Sequence, residues 1–302
     1  MAIRLPPRLI RALIRLTVKP FLGPPFPFWF QRVWLRIVSG ANLPSRRCSR
    51  DVIDMAGLSS LCARPRGGAP ERTVLYLHGG GYCVGSWGTH LGPITHLAVA
   101  ANATVYAPSY RLAPEHPHPA ALDDALHAYR WLLDRGLSSD QVTVAGDSAG
   151  GGLALATALR IRDSELPPPA SIVLLSPWLD LTGSSDSMRH NARIDPMIRP
   201  SWSRQCASTY LGGLDPETPA CSPLFAPHRG LPPILIQAGS DEVLVDDSTR
   251  LAARCRESGV DVTLRIYEGF WHDFQSHAGI LEAADRAMRE IAAFITRKQH
   301  AF

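Results

Sequence analysis

No uninterrupted apolar run in this 302-residue sequence approaches the roughly 18 residues that a membrane-crossing helix needs, so no transmembrane span is expected. Cysteine is sparse and without pattern. The six thiols (Cys48, Cys62, Cys83, Cys206, Cys221 and Cys255) show no C-x-x-C pair and no metal-ligand spacing. That excludes a structural zinc site and reads as reduced, buried thiols in a cytoplasmic protein. Charge is modest at 19% of residues, with a formal net of +4, and no basic patch is interleaved with aromatics, so nucleic acid is not an expected partner. A secretory signal core is missing as well, because Arg4, Arg8, Arg11 and Arg15 interrupt the N-terminal apolar residues. There are no internal repeats and no low-complexity tracts. With 45% hydrophobic residues the composition is globular, and the length suits one large domain with an appendage.

Residues 6–19 read as an amphipathic helix, with Pro6 and Pro7 in its first turn. Arg8, Arg11 and Arg15 fall on one face, and Leu9, Ile10, Leu13, Ile14 and Leu16 on another. Such a helix either lies on a membrane surface or lays its apolar face on the rest of the protein. The second reading is adopted because most amphipathic helices do this. Residues 20–34, crowded with Pro, Phe and Trp, are too rigid for a long helix and too apolar for a linker, and suggest a lid or the wall of an apolar pocket. Beyond residue 52 short apolar strands (73–77, 104–107, 141–145, 171–175, 234–238 and 262–267) alternate with helices (91–101, 120–133, 149–161, 248–257 and 281–296). That pattern predicts an α/β fold with a mostly parallel sheet covered on both faces. Residues 183–216 lack strand character and read as an insertion.

The run Val144–Gly151 carries most of the chemical information. Gly146-Asp147-Ser148-Ala149-Gly150 is a Gly-x-Ser-x-Gly sequence between a buried strand and a helix, the context in which a serine is pushed out on a strained turn. The Ala149 amide then lies at a helix N-terminus, where developing negative charge is favoured. A serine hydroxyl needs a base, and that base needs an acid to orient it. His272 follows the last strand on a loop at the strands' carboxyl ends, in the order serine, acid, histidine. His277 is farther from the strand end. The acid is expected in the loop after strand 234–238, where Asp241 and Glu242 are both placed to reach His272, while Asp246 and Asp247 suit the opening of the next helix. His78-Gly79-Gly80-Gly81-Tyr82 follows a strand directly, and its glycines allow amide N–H groups to converge on one point, as an oxyanion requires. No phosphate-binding Lys-Ser/Thr or G-x-G-x-x-G accompanies it.

From residue 50 onward the sequence resembles the bacterial hormone-sensitive-lipase-like (family IV) esterases, an α/β-hydrolase family. His78-Gly79-Gly80-Gly81, Tyr110-Arg111-Leu112-Ala113-Pro114-Glu115-His116-Pro117, Gly146–Gly150 and Ser176-Pro177-Trp178-Leu179-Asp180-Leu181 carry the resemblance. It implies an α/β-hydrolase fold with a helical cap built from residues 1–45 and 183–216, over a core of 46–182 plus 217–302. It also implies oxyanion donors at Gly80, Gly81 and Ala149. The family's acid motif, aligned on Leu244 and Asp246, puts the acid at Glu242 with Val243 in place of proline. Tyr110, Arg111 and Glu115 are read as ties holding the glycine loop, and Asp180 and Asp195 as local caps or turn formers. The expected activity is that of a serine carboxylesterase on short- to medium-chain esters, with catalytic Ser148, Glu242 and His272 and no metal or organic cofactor. An amidase or deacetylase with the same triad, a non-catalytic receptor on this fold and a membrane-associated lipid enzyme are the alternatives. The partners expected are a small ester and, by the resemblance, a second copy paired through the last strand.

Overall fold

A computed structural model describes residues 4–68 and 70–299. Eight strands form one sheet: β1 (Cys48–Met55), β2 (Leu58–Pro65), β3 (Arg72–Leu77), β4 (Ala103–Pro108), β5 (Val142–Asp147), β6 (Ser171–Leu175), β7 (Ile234–Gly239) and β8 (Val262–Tyr267). Their order is β1-β2-β4-β3-β5-β6-β7-β8, antiparallel at β1–β2 and β2–β4 and parallel from β4 onward. The parallel strands are nearly continuous apolar runs because both faces are covered. Alternation splits their side chains between two cores. Leu75, Leu77, Val144, Ile172 and Ile236 face α4 (Ala120–Asp134), α5 (Ala149–Arg162) and α8 (Val245–Glu257). Val74, Tyr76, Ala145, Val173 and Leu235 face α3 (Leu91–Ala101) and α9 (Glu282–Gln299). All six residues of β5 are buried, which puts the Gly-x-Ser-x-Gly turn at the centre of the sheet's carboxyl edge.

The six parallel strands and their helices lie where the pattern predicts them. The β1–β2 hairpin is new, because β1 is an edge strand exposed along most of its length and carries Arg50, Asp51 and Asp54 instead of an apolar run. Its turn, Ala56-Gly57, has φ of 55° and 86°, the left-handed pair a two-residue hairpin needs, supplied without the usual Asn-Gly.

The N-terminal segment differs from expectation in two ways. Residues 28–38 form a helix, α2 (Phe28–Val38): the prolines of 20–27 break the chain only up to Pro27, which serves as N-cap with an extended backbone. In α1 (Pro7–Thr17) only Ile10 and Ile14 are buried, while Leu9, Leu13 and Leu16 face outward. The arginine face is the one tied down. Arg11 donates to Asp241 and to the Gly269 carbonyl, and Arg15 to the carbonyls of Arg193 and Ile194. Polar partners on the body, which no periodicity reveals, decide the helix's rotation. Residues 183–216 contain α6 (Asp186–His190) and α7 (Pro200–Leu211) and no strand. They touch the N-terminal segment through Lys19 on the Ala192 and Asp195 carbonyls, and through Arg199 on the Leu22 carbonyl.

Candidate active site

Ser148 is the N-cap of α5, with φ 53° and ψ −124°, a conformation that L-residues rarely adopt and that here survives inside a fully packed turn. Its own amide bonds the Leu175 carbonyl at 2.8 Å, and its carbonyl accepts from Gly152 and Trp178. The turn is tight. A Cβ on Gly150 would lie 2.1 Å from the Leu77 carbonyl oxygen, so helix and strand approach this closely only through glycine.

The glycine loop lies beside it. Gly80 has φ +122°, and a Cβ there would sit 2.1 Å from the Val84 carbonyl oxygen. Its carbonyl takes the amides of Cys83 and Val84, curling the chain so that residues 79–81 border Ser148. Among the described residues none accepts from the amides of Gly80, Gly81 or Ala149. Tyr110 stacks on the His78 ring and donates to the His78 carbonyl at 2.6 Å. Arg111 makes a forked pair with Asp124, and Glu115 one with Arg32 of α2, so this motif ties the loop down as its residue types suggest.

His272 is buried in the loop after β8 and lines the same pocket as Ser148. Its Nδ1 lies 3.9 Å from Glu242 Oε2 and its Nε2 3.2 Å from Asp273 Oδ2. Glu242 Oε2 also accepts from Ser176 Oγ at 2.7 Å and from the Gly239 amide at 3.2 Å. Its Oε1 and His272 Nδ1 have no hydrogen-bond partner. Burial pushes the Glu242 carboxyl up to about 8, against the pull of His272. For His272 burial acts the other way, but Asp273, Glu242 and Asp195 overcome it and raise the imidazole to about 10. Histidine and carboxylates therefore hold protons as one coupled group rather than singly. Asp241 is elsewhere: its carboxylate pairs with Arg11 at 2.6 Å and accepts from Ser240. His277 packs against Trp271 and bonds Asn42, and burial lowers it to about 4.

Three polar residues near the serine were given no role by the sequence. Asp147 is buried between Tyr76 (2.7 Å) and His90 (3.1 Å). Ser176, with φ 44°, donates to Glu242 and accepts from the Asp273 amide. Asp273 lines the pocket with Oδ1 unpartnered. Two of these flank the candidate serine and histidine in sequence, which is the signal that could have drawn attention to them. Asp195 does more than form a turn: besides the amides of Met197 and Ile198 it takes that of Val243, joining residues 183–216 to the Glu242 loop. Asp246 and Asp247 stand in the first turn of α8 as expected, but their carboxylates accept from Ser187 and from Leu179 and Asp180 rather than capping the helix.

Ser148 separates two spaces. One is a pocket of about 680 Å³, counted out to its open mouth, bordered by Leu22, Leu35, His90, Met197 and Asp273. The other, about 240 Å³, is walled by Trp178, Ile198, Trp202, Cys206 and Leu244. The Phe side chains of 20–34 form no part of either. Phe21, Phe26 and Phe30 stack among themselves and with Trp34. No group of three or more potential ligands with metal-site geometry occurs among the described residues.

Parallel sheet, strained serine turn and glycine loop define an α/β hydrolase, and the model of the alpha/beta hydrolase fold family matches residues 74–276. The chain is 42% identical over 226 residues to an acetyl-hydrolase of Streptomyces hygroscopicus, covering 74% of this chain and 75% of the relative. It is 37% identical to an esterase of Acinetobacter venetianus, covering 74% of each. The crystal structure of an esterase from the bacterial hormone-sensitive lipase family superposes with a TM-score of 0.92 at 34% identity, over 97% of both chains. The chain belongs to this bacterial hormone-sensitive lipase family of carboxylic ester hydrolases.

Proposed function

We propose that the protein is a serine carboxylesterase for short- to medium-chain acyl esters, with Ser148 as nucleophile, His272 as general base and Glu242 as the acid that orients it. The observation that carries this reading is Ser148 itself, held at positive φ on the N-terminus of α5 between a larger pocket and a smaller apolar one. The scissile carbonyl stands over Ser148 Oγ, the acyl chain enters the smaller space and the alcohol faces the larger one. His272 Nε2 takes the serine proton as Oγ attacks, and Glu242 stabilises the imidazolium. The amides of Gly80, Gly81 and Ala149 receive the oxyanion. His272 then protonates the leaving alcohol, and water repeats the sequence on the acyl-enzyme.

The resting geometry is a step short of that arrangement, as is common without substrate. His272 must leave Asp273 and close the 3.9 Å gap to Glu242 before its Nε2 is free for Ser148. Pairing of Asp241 with Arg11 supports Glu242 as the acid. Residues 1–45 and 183–216 act as a cap, since Leu22, Leu35, Ile198 and Trp202 wall the pockets from above the sheet edge. The test is hydrolysis of p-nitrophenyl esters from acetate to palmitate by wild type and Ser148→Ala side by side. Turnover on the shorter esters should fall by roughly 10⁴-fold or more in the variant. Equal, feeble rates from both proteins would discard the reading.

A further inference from the structure

The first fifty residues hold ten of the 31 Lys and Arg residues and none of the 27 Asp and Glu, leaving 21 basic against 27 acidic residues over the rest of the chain. This basic segment also carries the exposed apolar surface. Of the ten large hydrophobic side chains exposed among the described residues, seven fall between Leu9 and Leu43. They form two helical stripes, Leu9, Leu13 and Leu16 on α1 and Trp29, Val33 and Ile37 on α2, with Leu16, Trp29 and Ile37 each more than 60% exposed. The helices meet where Trp34 Nε1 donates to the Thr17 carbonyl, within the stack of Phe21, Phe30 and Trp34. Arg8, Arg36, Arg46 and Arg47 are exposed and make no ion pair among the described residues. Soluble monomers rarely gather exposed apolar side chains in this way without covering them.

We propose that the α1–α2 face docks on an anionic lipid surface, its leucines and Trp29 entering the headgroup boundary and its arginines meeting lipid phosphates. Charge selects this occupant. A second copy would bring one strongly basic face against another, whereas an anionic bilayer complements both the charge and the apolar stripes. The opposite side of α2 gives the docking a purpose. Leu35 borders the pocket while Val33 and Ile37 face out, so a docked protein holds the helix that walls its pocket at the membrane, where sparingly soluble esters accumulate.

The experiment is co-sedimentation of the full-length protein with vesicles of phosphatidylcholine alone or mixed equally with phosphatidylglycerol, at low salt and at about 0.5 M NaCl. Two variants accompany it, Leu13→Ser/Leu16→Ser/Trp29→Ser and Arg8→Gln/Arg36→Gln/Arg46→Gln/Arg47→Gln. All seven apolar and basic positions named are exposed, and unchanged thermal unfolding serves as the control for folding. The protein should pellet with the anionic vesicles at low salt and not with phosphatidylcholine, and each variant should lose partitioning by on the order of tenfold or more. Equal binding to both vesicle types, or wild-type partitioning by either variant, would overturn the proposal. So would failure to bind together with a dimer that the serine variant dissolves, which would identify a second copy as the occupant.

Discussion

His272 sits among carboxylates that differ in what they do to it. Glu242 approaches Nδ1 and Asp273 approaches Nε2, the nitrogen that the proposed mechanism turns to Ser148, while Asp195 contributes charge. A carboxylate at Nε2 favours the imidazolium and so opposes the base form. Replacing Asp273 by Asn removes that charge, lowers the pKa at which His272 becomes a base, and should move the acid limb of the kcat/KM profile down by on the order of one pH unit. An unmoved limb would show that Asp273 leaves His272 Nε2 when substrate binds. The adjacent pair of acids gives a second test. Glu242→Ala should reduce kcat on p-nitrophenyl acetate by roughly 10²–10⁴-fold, and Asp241→Ala far less, because Asp241 spends its charge on Arg11. The reverse order would transfer the acid's role to Asp241.

On the proposed mechanism, selectivity rests on single elements. Trp202, in the first turn of α7, walls both spaces beside Ser148. Trp202→Leu keeps an apolar side chain and opens that end. The ratio of octanoate to acetate turnover should rise roughly tenfold in a p-nitrophenyl ester series. An unchanged ratio would mean that the acyl chain lies in the larger pocket instead. The glycine loop and α5 depend equally on their neighbours. Tyr110 holds His78 from below, and Arg32 reaches from α2 to Glu115 and to the carbonyls of Cys83 and Ala113, so the N-terminal segment braces the loop it covers.

At the scale of the whole molecule, the two cores on either face of the sheet enclose five of the six thiols, and Cys62 is buried within β2. All six cysteines are free and buried, in line with their unpatterned spacing. Burial raises the thiols of Cys48, Cys62, Cys206, Cys221 and Cys255, disfavouring the reactive thiolate. Native protein should therefore react only slowly with a thiol-disulfide reagent and yield all six thiols once unfolded in guanidinium. Rapid reaction of the native protein would reveal an opening that admits reagent to one core.

The sequence by itself determined the sheet's parallel part, the serine turn and the glycine loop, because these depend on local rules. Continuous apolar runs bury on both faces, and a close strand–helix approach admits only glycine. It also put His272 and the pair Asp241–Glu242 on the loops that follow β8 and β7, since strand ends fix where loops emerge. Only the tertiary structure sets the two acids apart, pairing Asp241 with an arginine 230 residues away on α1 and leaving Glu242 beside His272. It alone turned α1's leucines outward and tied Arg11 and Arg15 to the body, and it alone brought Asp147 to His90 and Ser176 to Glu242. These outcomes depend on contacts between residues distant in sequence, whose energies no local pattern records. The β1–β2 hairpin escaped for a related reason: an edge strand held by pairing with its neighbour needs no apolar run of its own.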